Sequence, residues 1–245
     1  MKTRLPLLLS LVLACGTWGH AEAPVPITNE IAPVNEITLE IEAQRERIEK
    51  LLESEESFQE QQETQMRQAF GLLAVLGQAL AEHEQQDESP INGAALRDAA
   101  LGYKADTSYE QAQEMLKSVV SVLEGNVTGE HQTAYPWNKL IRMHPMMEEI
   151  NTRQSSILRV LRRPRGNPQE SMHATTWVLL GLAMKADTHE VKDPNDLPQW
   201  NAWSDEFHQG AVKLGDAIRK KDAKAARPFF DQAVGTCDEC HGMFQ

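Results

Sequence analysis

Residues 222–245 read DAKAARPFFDQAVGTCDECHGMFQ, and two patterns overlap in them. Ala226, Phe230, Ala233, Cys237, Cys240 and Phe244 recur at alternating spacings of four and three, so they share one face of a helix that Asp222 is placed to cap. Within the same stretch, Cys237-Asp238-Glu239-Cys240-His241 has the form C-x-x-C-H, the attachment signature of a c-type haem. In that chemistry the two thiols add to the haem vinyl groups as thioethers, and the adjacent imidazole becomes the proximal iron ligand. One motif predicts one haem c per chain, with Cys237 and Cys240 on the buried stripe of a terminal helix.

Other uses of the motif fit less well. A structural zinc site needs four ligands, and the sequence has no second C-x-x-C. A thioredoxin-like pair expects a strand-rich βαβ setting, which the pattern of this chain lacks. Only Gly242, Met243, Phe244 and Gln245 follow His241, so a distal iron ligand is expected from an upstream helix.

The start of the chain agrees with export. Lys2 and Arg4 precede an apolar run over residues 5–14, followed by small residues, as in a secretory signal over residues 1–21. That run is too short for a membrane span. Val12-Leu13-Ala14-Cys15 loosely resembles a lipoprotein signal, so membrane anchoring is expected only through lipid at Cys15. With Cys15 in the leader and two cysteines in the haem motif, none of the three is left for a disulfide framework. A periplasmic location follows as the expectation, since c-type haem is attached outside the bacterial cytoplasm.

The net charge of −12 becomes −14 once Lys2 and Arg4 leave with the signal. Such a balance argues against nucleic acid and anionic membrane as partners. Aromatic residues make up only 6% of the chain, and long Glu/Gln/Ala/Leu-rich stretches favour helix throughout. Four helices are predicted in the C-terminal part. The first covers residues 145–163, with Met147, Ile150, Gln154, Ile157 and Leu161 on one stripe. Asn167-Pro168-Gln169-Glu170 opens the second as cap, first-turn proline and acid. A third carries Trp200, Trp203, Phe207, Ala211, Leu214 and Ile218, and the fourth is the cysteine helix, with Pro228 expected to kink it.

The upstream half repeats this order. Leu72-Leu73-Ala74-Val75-Leu76 corresponds to Leu179-Leu180-Gly181-Leu182-Ala183, 107 residues later. Thr107 and Glu110 make a capping-box pattern ahead of a further helix. The expected organisation is all-α: two tandem four-helix bundles over residues 37–124 and 141–245, joined by a linker at 125–140. The first half has no cysteine and is expected to be haem-free.

Phe207-x₆-Leu214-x₇-Asp222-x₇-Phe230-x₆-Cys237-x-x-Cys240-His241-x-x-Phe244 resembles the last two helices of cytochrome c′ and its low-spin relatives, the class II c-type cytochromes. The resemblance covers about the last hundred residues. It implies a four-helix bundle, haem-linking roles for Cys237 and Cys240, and proximal ligation by His241. Two departures are plain. Gln245 stands where the family has a basic residue, and the family's Arg-Gln-containing first helix has no clean counterpart in the second half, Arg67-Gln68 falling in the half without haem-linking cysteines.

In an up-down-up-down bundle the start of the first helix and the end of the fourth lie at one end. Met147 can therefore flank the same haem as His241, and a thioether raises the potential of a His-ligated haem. Met143, His144 and Met146 are neighbouring candidates, methionine as core filler is the plain alternative, and an iron without a distal protein ligand stays open. Arg159, Arg162, Arg163 and Arg165 form a cationic island that reads as a solvated helix end, with haem propionates or a partner as the functional use. Trp177, Trp200 and Trp203 read as core or haem packing. No catalytic dyad, phosphate loop or nucleophile elbow is visible, so no enzyme is expected.

Three functions fit these residues. The first is an electron carrier among periplasmic redox proteins, with a homodimer as one arrangement. The second is a five-coordinate haem protein binding nitric oxide or carbon monoxide. The third is a haem-free helical scaffold in which Cys237 and Cys240 form a reversible disulfide.

Overall fold

The computed structural model describes residues 23–244. The expected signal, Cys15 within it, and Gln245 lie outside the described residues. Among the described residues there are nine α-helices: α1 (Val34–Leu51), α2 (Glu55–Gln61), α3 (Gln65–Ala81), α4 (Gly93–Leu101), α5 (Tyr109–Leu123), α6 (Met143–Leu161), α7 (Pro168–Ala186), α8 (Leu197–Arg219) and α9 (Ala223–Phe244). Among the described residues the only β pairing is a single bridge between Ile27 and His83, so the all-α expectation holds. No described helix is long and apolar enough to cross a membrane.

Local chemistry explains most helix ends. The Asn167 side chain accepts from the Glu170 amide at 3.0 Å with Pro168 in the first turn, and the Glu170 carboxylate reaches back to the Arg165 and Gly166 amides. Asp222 caps α9 by accepting from the Ala225 amide at 2.9 Å. Lys221, with φ at 61°, makes the tight reversal from α8, and α9 runs unbroken through Pro228. The capping box ahead of α5 is one residue later than its sequence pattern suggests: Ser108 and Gln111 form it. Thr107 instead accepts from the Lys104 amide, closing the preceding loop.

Each half packs in the same order. In the upstream half α1 meets α3 and α5, α3 meets α4, and α4 meets α5. Downstream, α6 meets α7 and α9, α7 meets α8, and α8 meets α9. Between halves α1 lies on α7 and α3 on α6, an exchange that a two-fold rotation would produce. The halves are unequal, because α4 has nine residues where α8 has 23, and α2 has no downstream counterpart. A single hydrophobic core runs through both halves. Trp137 and Leu140, which read as linker, are buried in that core, and the Trp137 indole donates to Glu82 at 3.0 Å.

Polar side chains tie the halves together. Glu40 of α1 accepts both terminal nitrogens of Arg153 of α6, at 2.7 and 2.8 Å. Arg153 also donates to Glu149 at 2.7 Å, whose second oxygen accepts from Arg47 of α1 at 2.9 Å. One turn earlier on α1, Glu36 accepts from Arg219 of α8 at 2.8 Å and from Ser171 of α7 at 2.6 Å. All three carboxylates are buried, each against an arginine; at Glu149 burial pushes the pKa up, but Arg153 and Arg47 together hold it below the usual carboxylate range.

His173 of α7 faces the same cluster, its Nδ1 accepting from Arg153 at 3.1 Å. Burial first, and the Arg153 charge second, push its pKa down to about 4 from 6.5. The unfolded chain therefore takes up this proton near pH 6.5 and the folded chain only near pH 4. Stability is fully present above the unfolded value and is lost as pH falls through that window, by roughly 3 kcal/mol at most. His83 and His208, lowered by burial, act in the same direction. Denaturation midpoints followed from pH 7 to pH 4.5 should fall less steeply in His173→Gln than in the parent; identical slopes would remove His173 from this account.

Candidate cofactor site

A cleft at one end of the downstream half collects the motif. Cys237, Cys240 and His241, on the last turns of α9, line one side. Met143, Met147 and Ile150 from the start of α6 line it as well, although 90 residues separate Met147 from Cys237. Antiparallel neighbours bring these helix ends together. Trp200, Trp203 and Phe207 of α8 complete the apolar wall. Phe244 is packed edge-on against Trp200 at 5.1 Å and against Trp203 at 6.0 Å. Behind them Trp177 stacks on Phe230 at 5.7 Å and donates its indole N–H to the Ile150 carbonyl at 3.0 Å, which fixes α7 against α6 and α9.

The thiols are free and half-buried. Burial, reinforced by Asp238, pushes Cys237 up to about 11, and burial raises Cys240 as well. Both are therefore neutral thiols in a largely apolar setting. His241 is exposed at the rim. The cavity measures about 210 Å³ and opens to solvent on one side, so a ring larger than that volume would keep an edge at the mouth.

Of the four distal candidates, Met143 and Met147 line the cleft, Met146 is fully buried in the core, and His144 is exposed on the outer face of α6. Five lining residues escaped sequence reasoning, Glu190, Ser204 and Thr236 among them. Met184 at the end of α7 sits on an apolar run indistinguishable from core, and Lys192 lies on a loop without periodicity. Arg67-Gln68 takes no part: Gln68 bonds Arg47 and Glu148 between the halves. Arg159, Arg162, Arg163 and Arg165 lie at the far end of α6 or beyond it, exposed and away from the cleft.

In the upstream half, glycines of α3 and α4 mark a close contact between the two helices. A Cβ at Gly77 would come within 2.6 Å of the Arg97 amide, and one at Gly93 within 2.5 Å of the Gly77 carbonyl, so α3 and α4 touch backbone to backbone.

Among the described residues no three His, Cys, Asp or Glu side chains converge as a self-contained metal site requires. A haem iron makes a smaller demand, because the macrocycle supplies four donors and the protein one or two. Two thiols one helical turn apart, an adjoining imidazole, thioethers across the cleft and aromatic walls fit that group. No protein-family model, no curated protein and no solved structure matches the chain.

Proposed function

We propose that the chain is an exported c-type cytochrome carrying one covalent haem and passing single electrons between periplasmic redox proteins. The observation that carries this reading is the meeting of Cys237, Cys240 and His241 with Met147 around one apolar cleft. When bound, the haem supplies a reversible one-electron centre. Cys237 and Cys240 would hold the ring by thioethers, and His241 and Met147 would be the protein's iron ligands. Trp200, Trp203, Phe207 and Phe244 exclude water from the ring faces. Lys192, the one Lys or Arg among the described lining residues, is placed to meet a propionate at the mouth.

In this reading the halves are two tandem four-helix bundles, the downstream one of the cytochrome c′ kind. The upstream one is haem-free, with neither thiols nor room between α3 and α4. Any membrane attachment is through lipid at Cys15.

Met147→Ala tests the distal assignment on protein matured with haem-attachment machinery. The parent should be low-spin, and the variant high-spin, with a lower potential and faster carbon monoxide binding. Met147 is only half-buried, so the loss should fall below the ~2–5 kcal/mol of a core methionine and the variant should fold. Because Met143 lines the same cleft, an unchanged spectrum calls for the Met143→Ala, Met147→Ala pair. If the pair too stays low-spin, the distal assignment to these methionines is wrong. A high-spin parent would instead support the gas-binding function.

A further inference from the structure

A second cavity, of about 410 Å³, lies between the halves at the same end of the molecule as the cleft. Arg67 of α3, Lys104 from the α4–α5 loop, and Lys139 and Arg142 ahead of α6 all line it, against a single acid, Asp106. None of the four cations makes an ion pair or side-chain hydrogen bond among the described residues, in a protein where 36 acids outnumber 24 Lys and Arg. Arg67 is half-buried and the other three are exposed. The walls are firm. Phe70 and Tyr103 stack at 4.8 Å, and the Tyr103 hydroxyl is tied to the Gln62 carbonyl at 2.9 Å. Gly71 has no Cβ because Ile141 occupies that place, 2.7 Å from where one would stand; this contact holds the segment bearing Lys139 and Arg142 against α3.

The start of α6 points the same way. This helix of 19 residues begins without a side-chain cap on its amides and without an acid in its first turn, and Ile141 and Arg142 just ahead of it, with Pro145 in its first turn, line the cavity. An uncapped helix N-terminus carries about half a positive charge. Four unpaired cations and that pole around one concavity leave an uncompensated field, which a multiply charged oxyanion would neutralise.

We propose that this cavity binds a small molecule bearing two or more phosphate or carboxylate groups, held by Arg67, Lys104, Lys139 and Arg142 at the head of α6. The site is independent of the cofactor reading, since none of its residues belongs to the motif. It borders the cleft nonetheless, because α6 carries Met143 and Met147 within its first two turns. Occupancy therefore bears on the segment that faces the cofactor site.

Calorimetric titration of the full matured protein with inorganic pyrophosphate and, separately, citrate at low ionic strength tests this. One-to-one saturable binding of at least one probe is expected, and the tighter probe identifies phosphate or carboxylate as the preferred chemistry. Arg67→Gln with Lys139→Gln should weaken that binding at least tenfold, with circular dichroism confirming an intact fold. Arg162→Gln with Arg163→Gln, removing two exposed cations at the opposite end of α6, should leave it unchanged. Absence of saturation by either probe up to about 10 mM would overturn the proposal. So would equal weakening by both pairs, which would mean diffuse attraction to surface charge rather than a site.

Discussion

Replacing Cys237 and Cys240 together by Ala should abolish all haem that survives acid–acetone extraction. Axial bonds from His241 or a methionine yield to acid and solvent, whereas thioethers do not, so the assay isolates the covalent link. Little else should change. Both residues are half-buried on the wall of an open cleft, and the helix that carries them is anchored by Ala226, Phe230, Ala233 and Phe244, which point into the core. Alanine favours helix more than cysteine does. A folded variant without extractable-resistant haem is the expected outcome; extraction-stable haem in it would mean attachment elsewhere on the chain.

The largest effect on stability should come from Arg153→Ala. That side chain holds Glu40 from one half and Glu149 from the other, all three buried. Its removal leaves Glu40 with only Gln44 and Thr176 as partners, and Glu149 with Arg47 alone. Breaking a buried pair from one side typically costs ~3–5 kcal/mol, because a carboxylate is stranded away from water. Arg153→Met combined with Glu40→Leu removes both charges and should recover a large part of the loss, since the desolvation cost disappears with the attraction. Urea denaturation of the single and double variants measures this directly. A single variant less than about 1 kcal/mol below the parent would show that the cluster does not hold the halves together.

Much of this molecule is legible in order along the chain. The α9 stripe, the Asn167-Pro168-Glu170 helix start and the Asp222 cap are local patterns, and each forms where the residues indicate. What escapes local reading is set by contacts distant in sequence. Glu36 and Glu40 look like solvated acids on an amphipathic helix, yet they are buried because α1 lies on α7 and their partners Arg219 and Arg153 come from the other half. For the same reason α7 is buried on nearly every side from Ala174 to Met184, with no stripe for a periodicity argument to find. Trp137 and Leu140 sit among Gly, Thr and Pro and read as linker, but a shared core draws them in. At the cleft, the motif identified one wall and helix direction placed Met147 near it. Choosing among Met143, Met146 and Met147 needed the rotation of α6, which a one-residue shift in helix start alters by about 100°.

A haem count on the parent protein decides whether one covalent haem sits in the cleft of the downstream half. Protein co-expressed with haem-attachment machinery, purified from the exported fraction and stripped with acid–acetone, should retain one haem per chain by pyridine haemochrome absorbance. A preparation that retains none, while a control c-type cytochrome matured in the same cells retains its own, would contradict the account.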